Sequence, residues 1–356
     1  MYKISRLLYL LSISAGVYAC SPAGRNVKGI KDSEKFPSVS VQSETRLVST
    51  ELPTPQLMTL YRDSLLLVVN NLNSNPCHVR VFDIKQKKAV NDLFPASSKK
   101  GGTLAFMSFG ITDSLVWVFD VAKNGFIAAG LNTVLERNAG VEYYSEYRIT
   151  PQVFYYDALL LNRQEALLSG NYDTDEKLVY INFANISAPK VLLPYAKDSA
   201  IGSSRFNKMS YESFMLLKPD KQKVLLAGRY SDQFELLSLA DGKYKRGHGP
   251  TGFAPQLASF RDNSGERGAR PDEGTRYGFL KGHVTDRFFY LLFSGRYFRS
   301  AHQFFGNKIL VYDWEGNPIK QINLKNDIID FAVSSDDKTL YMLNGQTKSI
   351  SFSEIE

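Results

Sequence analysis

Two stretches of this chain concentrate side chains that could do chemistry. Residues 245–278 (KRGHGPTGFAPQLASFRDNSGERGARPDEGTRYG) bring Arg246, His248, Arg261, Asp262, Arg267, Arg270 and Arg276 together among glycines and prolines. Residues 294–306 (SGRYFRSAHQFFG) hold Arg296, Tyr297, Arg299, His302 and Phe305. Arginine offers a planar fork of donors that matches a carboxylate or phosphate, and tyrosine adds a flat apolar face with a polar tip. That pattern suits recognition. The competing readings are a solvated loop for 245–278, where Glu266, Asp272 and Glu273 offset the charge, and a hairpin packed on its neighbour for 294–306. The candidate ligand contacts are Arg246, His248, Arg270, Arg296, Tyr297, Arg299 and His302.

Catalytic signals are weaker. The four histidines (His78, His248, His283, His302) show no HxxxH spacing, so no metal site is expected. There is no GxSxG elbow and no phosphate-binding glycine loop, and no cofactor is expected. Residues 334–339 (SSDDKT) lack the Gly and Trp of a sialidase Asp-box and read as a β-turn. Asp113, Asp157, Asp220, Asp286 and Asp336 fall at turns or just before apolar runs, where turn capping accounts for most of them. The formal charge is +7, with basic and acidic residues interspersed, so no basic face for nucleic acid is indicated.

The elements that must carry these residues are short strands. Residues 308–343 alternate apolar runs with polar turns at 315–317 and 335–337, the mark of antiparallel all-β structure. Six similar strands end at Asn70, Asp120, Gly170, Gly228, Gly295 and Gly345, at intervals of 50, 50, 58, 67 and 50 residues. Apolar runs precede them (153–156, 331–333) and follow them (79–84, 178–183, 234–239, 309–314). A period near 50 with four strands per repeat predicts a six-bladed β-propeller over 39–356 rather than two sandwiches. The last repeat is one strand short. Residues 39–48 are expected to supply that strand and close the ring, which removes exposed sheet edges.

Residues 331–341 (FAVSSDDKTLY), 214–228 (FMLLKPDKQKVLLAG) and 311–322 (VYDWEGNPIKQI) resemble the strand, Ser-Pro-Asp-Gly-Lys turn, strand motif of TolB-like propellers. Asp337 stands where that motif has Gly, and Lys218-Pro219 where it has Ser-Pro. The resemblance runs from about residue 40 to the C-terminus. It implies blade structure and an envelope location but no reaction.

The N-terminus reads as an address. Lys3 and Arg6 precede 13 apolar residues (7–19), too few to span a bilayer as a helix. The segment ends Gly16-Val17-Tyr18-Ala19-Cys20, which resembles the lipobox of bacterial lipoproteins, with Tyr18 bulkier than a strict lipobox has. A plain secretory peptide cut near Ala19 is the alternative. The resemblance implies a signal peptide over 1–19, diacylglycerol and an amide-linked acyl chain on Cys20, and a tether over 20–38. With Cys20 lipidated, Cys77 has no disulfide partner and reads as a small apolar residue at a strand start. Ser21 resembles the residue of lipoproteins sent to the outer membrane. With a lipobox ahead of it, the whole resembles TolB-like six-bladed propeller lipoproteins of Bacteroidetes. It implies a membrane partner through Cys20 at the outer membrane, and no acidic cluster of the kind linked with export to the cell surface follows Cys20, which favours the periplasmic face. The expected role is binding or scaffolding of an envelope protein, peptide or glycan, without catalysis. The alternative is a lactonase-like or glycan-cleaving hydrolase with its site at the channel mouth.

Overall fold

The protein is described here from a computed structural model covering residues 36–355, apart from 42–43, 48–51, 53, 71–76, 137–139, 150–153, 171, 196–203 and 264. Cys20, the proposed signal segment and most of the proposed tether lie outside the described residues.

The chain opens with two short strands, β1 (Ser38–Ser40) and β2 (Thr45–Arg46). Blade 1 follows as β3 (Pro55–Tyr61), β4 (Leu65–Asn70), β5 (Cys77–Asp83) and β6 (Lys88–Pro95). Blade 2 is β7 (Phe106–Thr112), β8 (Leu115–Asp120), β9 (Gly125–Gly130) and β10 (Ser145–Arg148), with α1 (Leu131–Glu136) before its last strand. Blade 3 is β11 (Asp157–Leu160), β12 (Glu165–Ser169), β13 (Glu176–Asn182) and β14 (Lys190–Pro194). After α2 (Arg205–Ser210), blade 4 is β15 (Ser213–Leu217), β16 (Lys223–Gly228), β17 (Gln233–Ser238) and β18 (Tyr244–His248). A hairpin, β19 (Ala258–Arg261) with β20 (Arg267–Arg270), separates it from blade 5, formed by β21 (Phe279–Val284), β22 (Phe288–Phe293), β23 (Gly306–Asp313) and β24 (Pro318–Ile328). Blade 6 is β25 (Asp330–Val333), β26 (Thr339–Asn344) and β27 (Ser349–Glu354), with β2 as its fourth strand.

All six strands identified by their period are the second strands of the six blades. They read as unbroken apolar runs because each is buried on both faces, and alternate side chains point opposite ways. In β4, Leu67 and Val69 pack toward blade 2, while Leu66 and Val68 pack toward blade 6. In β8, Val116 and Val118 meet blade 1, while Trp117 and Phe119 meet blade 3. Among the described residues the core divides into six apolar clusters, one at each blade junction. Each fully buried aliphatic contributes roughly 1.5–3 kcal/mol, so no blade can leave the ring without exposing two such clusters.

Ring closure comes from the N-terminal segment, but in two pieces. Ser38–Ser40 pairs parallel with β24 as a fifth strand of blade 5. Thr45–Arg46 pairs antiparallel with β27 and completes blade 6. The Leu47 N–H continues that ladder to the Ile350 carbonyl at 2.9 Å. Val41 and Leu47 then bury in the clusters on either side of blade 6.

Up-and-down strand order sorts the connections onto two faces. One face carries the links that enter each first strand and the links from second to third strands. Three long insertions lie there, 195–212, 249–278 and 294–305, whereas the 131–144 link of blade 2, with α1, lies on the opposite face. Turns of two to five residues joining first to second strands lie on the opposite face. The first strands surround the central channel.

Two expectations shift. The stretch 245–278 is not one loop. Its start, through His248, is the outer strand of blade 4, and its middle is the β19–β20 hairpin packed on α2. Arg205 of α2 pairs with Asp262 (2.8 Å) and Glu266 (2.9 Å), and the Arg267 guanidinium lies 4.7 Å from the centre of the Phe206 ring. In blade 3 the first strand is Asp157–Leu160, one step later than the apolar run 153–156 suggests. Tyr155 and Tyr156 are buried just ahead of it, and Asp157 needs the strand position to reach the neighbouring blades.

Candidate functional site at the channel mouth

Residues just ahead of three successive first strands build the mouth. Tyr156 precedes β11, Glu212 precedes β15, and Tyr277 lies two residues before β21. Tyr172, Arg229 and Tyr230 come from second-to-third links, and Tyr195 directly follows β14. Backbone bonds fix the arrangement. The Arg229 N–H donates to the Glu212 carbonyl (2.9 Å), and the Gly278 N–H donates to the Arg229 carbonyl (2.6 Å). Arg229 Nε then lies 2.8 Å from Glu212 Oε1. Tyrosine rings group around this pair, with centroids 5.4 Å apart for Tyr156–Tyr172 and 5.7 Å for Tyr230–Tyr277. Gly170 makes room for one of them. Its φ is +93°, and a Cβ there would sit 1.8 Å from the Tyr156 ring.

The electrostatics tie the same residues together. Burial raises the Glu212 carboxyl above its ordinary pKa; Arg229 opposes the shift and Asp157 adds to it. Burial also raises the Tyr172, Tyr195 and Tyr230 hydroxyls, with Glu212 contributing to each, so all stay neutral donors. Below them Asp157 is raised by burial, which its bond from Ser108 Oγ (2.6 Å) only partly offsets. Deeper in the channel, burial lowers Lys281, which lies in the fields of Asp330, Arg229 and Asp157. Acidic and basic side chains thus share the channel: Glu212, Asp157 and Asp330 with Arg229 and Lys281. Toward the far end His283 is pushed down to about 4 by burial and is neutral at pH 7. No group of three potential metal ligands occurs among the described residues.

A TolB-like 6-blade propeller family profile matches residues 35–336. The chain belongs to the TolB-like six-bladed propeller family. A solved member of the duf4221 family from Bacteroides vulgatus is similar in fold at 9% identity, with a TM-score of 0.53 over 91% of this chain and 97% of that one. The β-propeller domain of Myceliophteria thermophila Cps50 (Swd1) is also similar, at 9% identity and a TM-score of 0.50 over 88% and 100%. At these identities the likeness speaks for the fold alone. No curated protein matches.

Within this TolB-like ring the candidates read from sequence separate into three places. Arg296, Tyr297, Arg299 and His302 lie on the 294–305 link, which borders the mouth through Phe304 and Tyr277 (5.1 Å). Arg296 is engaged by Asp327 (2.6 Å) and by the His302 carbonyl (2.9 Å), whereas Tyr297 and Arg299 are exposed. His302 meets Phe305 edge to face and reaches Gln346 in blade 6, so the loop is also packed on its neighbour. Arg246 and His248 line a separate cleft over blade 4. Arg270 is exposed on the β19–β20 hairpin, which packs on α2.

The mouth itself was missed. Tyr156, Tyr172, Tyr195, Glu212, Arg229, Tyr230 and Tyr277 are scattered single residues. Their shared signal is position, beside the ends of strands. Asp157, grouped with turn caps from sequence, is instead a channel residue, whereas Asp113, Asp220, Asp286 and Asp336 do lie in turns of the opposite face.

Proposed function

We propose that this TolB-like propeller is a non-catalytic binding module of the cell envelope. Its mouth takes a protein segment, peptide or glycan, and lipid on Cys20 holds it at the periplasmic face of the outer membrane. The carrying observation is the Arg229–Glu212 pair, about a quarter to a third exposed (35% and 23%), set among five tyrosines. Tyrosines bury large area with few rotors to freeze, and a part-buried arginine gives directional bonds. The mouth brings together the five tyrosines, Arg229 and Glu212.

A photo-crosslinker at Tyr230, compared with one at Lys223 on the opposite face, tests this in intact envelopes. Adducts at position 230 alone, lost with Arg229→Ala, are expected. Equal adducts at both positions, or none, overturn it. Palmitate labelling abolished by Cys20→Ala tests the anchor, and an unlabelled native chain removes it.

One observation favours a second reading. Glu212 and Asp157 are both raised by burial, and Asp157 raises Glu212 further, as a partner carboxylate would raise an acid in a glycan-cleaving site. Turnover of a glycan that Glu212→Gln abolishes without abolishing binding would establish it over the first.

A further inference from the structure

Over blade 4, beside the mouth but lined by none of the seven mouth residues, lies a cleft of about 370 Å³ lined by Lys177, Tyr211, Ser213, Gln233, Glu235 and Arg246 among others. It sits between blades 3 and 4, since Lys177 belongs to β13 and Glu235 to β17. Glu235 is its centre. Lys177 Nζ and Arg246 Nε both engage its carboxylate, the latter at 3.1 Å. Burial would raise that carboxyl, but Lys177 and Arg246 outweigh burial and hold it below its ordinary value, so Glu235 is ionised at neutral pH.

The donors are not used up by this contact. Among the described residues, Arg246 gives only its Nε to a hydrogen bond, which leaves the paired Nη groups of its fork. Its side chain is 37% exposed and its guanidinium lies 5.7 Å from the Tyr244 ring centre. Lys177 likewise gives one N–H of three. Ser213 lines the cleft and is 3% exposed, and its buried hydroxyl has no hydrogen-bond partner among the described residues. A buried hydroxyl left unpaired costs about 1–3 kcal/mol, a cost that a ligand able to bond it would remove. Two cations against one carboxylate leave a single positive charge. Leu226 and Phe234 supply an apolar wall.

We propose that this cleft recognises a small organic carboxylate, which takes the outer fork of Arg246 in two parallel bonds, with Lys177 and Ser213 completing its shell. Arginine and carboxylate match in just this bidentate way. One net charge suits a singly charged carboxylate better than a phosphate dianion. The volume suits a ligand between an amino acid and a small sugar acid. The site stands independently of the mouth and does not need the proposed function to hold.

Calorimetric titration of the full chain tests it with matched probes: glucuronate against glucose, N-acetyl-leucine against N-acetyl-leucinamide, and glucose 6-phosphate as the other anion. At least one acid should bind at least tenfold tighter than its neutral match. Arg246→Gln should abolish that preference with cooperative unfolding retained, and Ser213→Ala should weaken it several-fold with a melting temperature no lower than that of the native chain. Tyr230→Ala at the mouth should leave it intact. Equal binding of acid and neutral probes, a preference for the phosphate, no binding of either acid, or a preference that survives Arg246→Gln overturns the proposal. If Tyr230→Ala abolishes the preference, the site belongs to the mouth and this assignment fails.

Discussion

Asp157 and Asp330 hold the same place in opposite blades. Each is the first residue of a first strand, in blades 3 and 6, and each sends Oδ2 to a methionine amide on the first strand of the next blade: Met215 for Asp157, Met58 (2.7 Å) for Asp330. Both carboxylates are clasps between neighbouring sheets. Their surroundings differ. Asp157 also accepts from Ser108 Oγ (2.6 Å) and the Ala158 N–H (3.0 Å) and faces the tyrosine mouth. Among the described residues Asp330 accepts one further bond, from the Phe331 N–H (2.8 Å), and it lies in the field of Lys281. The junctions differ as well. Blades 3 and 4 are joined by continuous chain through 195–212, whereas blades 6 and 1 meet where β2 closes the ring. One clasp has been drawn into a site, and the other guards a seam.

The seam gives the largest expected effect. A chain shortened to begin at Thr50 loses β1, β2, Val41 and Leu47, and the two buried aliphatics alone amount to about 3–6 kcal/mol. Urea unfolding should place its midpoint well below that of a chain beginning at Ser21. Coincident curves would mean that the closing strand carries no weight.

Next comes acidity. Burial raises Asp330 to about 6 from 3.8, so the native state binds its proton more tightly than the unfolded chain does. Its contribution is full below pH 3.8 and is lost as pH rises through 6. The gap between those two values corresponds to about 3 kcal/mol. Asp330→Asn removes this dependence, so its stability relative to the native chain should improve by up to about 3 kcal/mol from pH 4 to pH 7. Parallel stability–pH curves would show that Asp330 does not titrate in that window.

The clasps themselves should differ by less. Asp157→Ala strands both the Ser108 hydroxyl and the Met215 amide, whereas Asp330→Ala strands chiefly the Met58 amide. Each buried donor left unpaired costs about 1–3 kcal/mol, so at pH 4 the blade 3 variant should be less stable by about 1 kcal/mol. A reversed order would make the seam the stricter junction.

The smallest effect belongs to the opposite face. Glu315 reaches Lys223 at 2.8 Å and Lys245 at 3.3 Å, but its side chain is 60% exposed. Glu315→Gln should cost about 0.5 kcal/mol and fade in salt. A loss as large as either clasp gives would put junction stability at the rim rather than along the channel.

The ring was legible in sequence because a second strand buried on both faces leaves an unbroken apolar run, and such runs recur. Closure was legible because blade 6 lacked a strand. The mouth was not, because its members are single residues contributed by links of different lengths. Tyr156 looked like the end of a strand, and Asp157 looked like a cap because Asp is common at turns. Arg246 and His248 were legible as recognition chemistry but were placed in a loop, since nothing in the sequence separates the end of β18 from the glycine-rich link that follows it.

β1 runs parallel to β24 and enters beside the short turn at 315–317, away from the 294–305 link. With a lipid on Cys20, the pull of the anchor would fall on the outermost strand of blade 5, at the rim. The protein would then hang by its edge like a lamp on a side bracket, its tyrosine opening clear of the leaflet and turned toward whatever passes through the surrounding space.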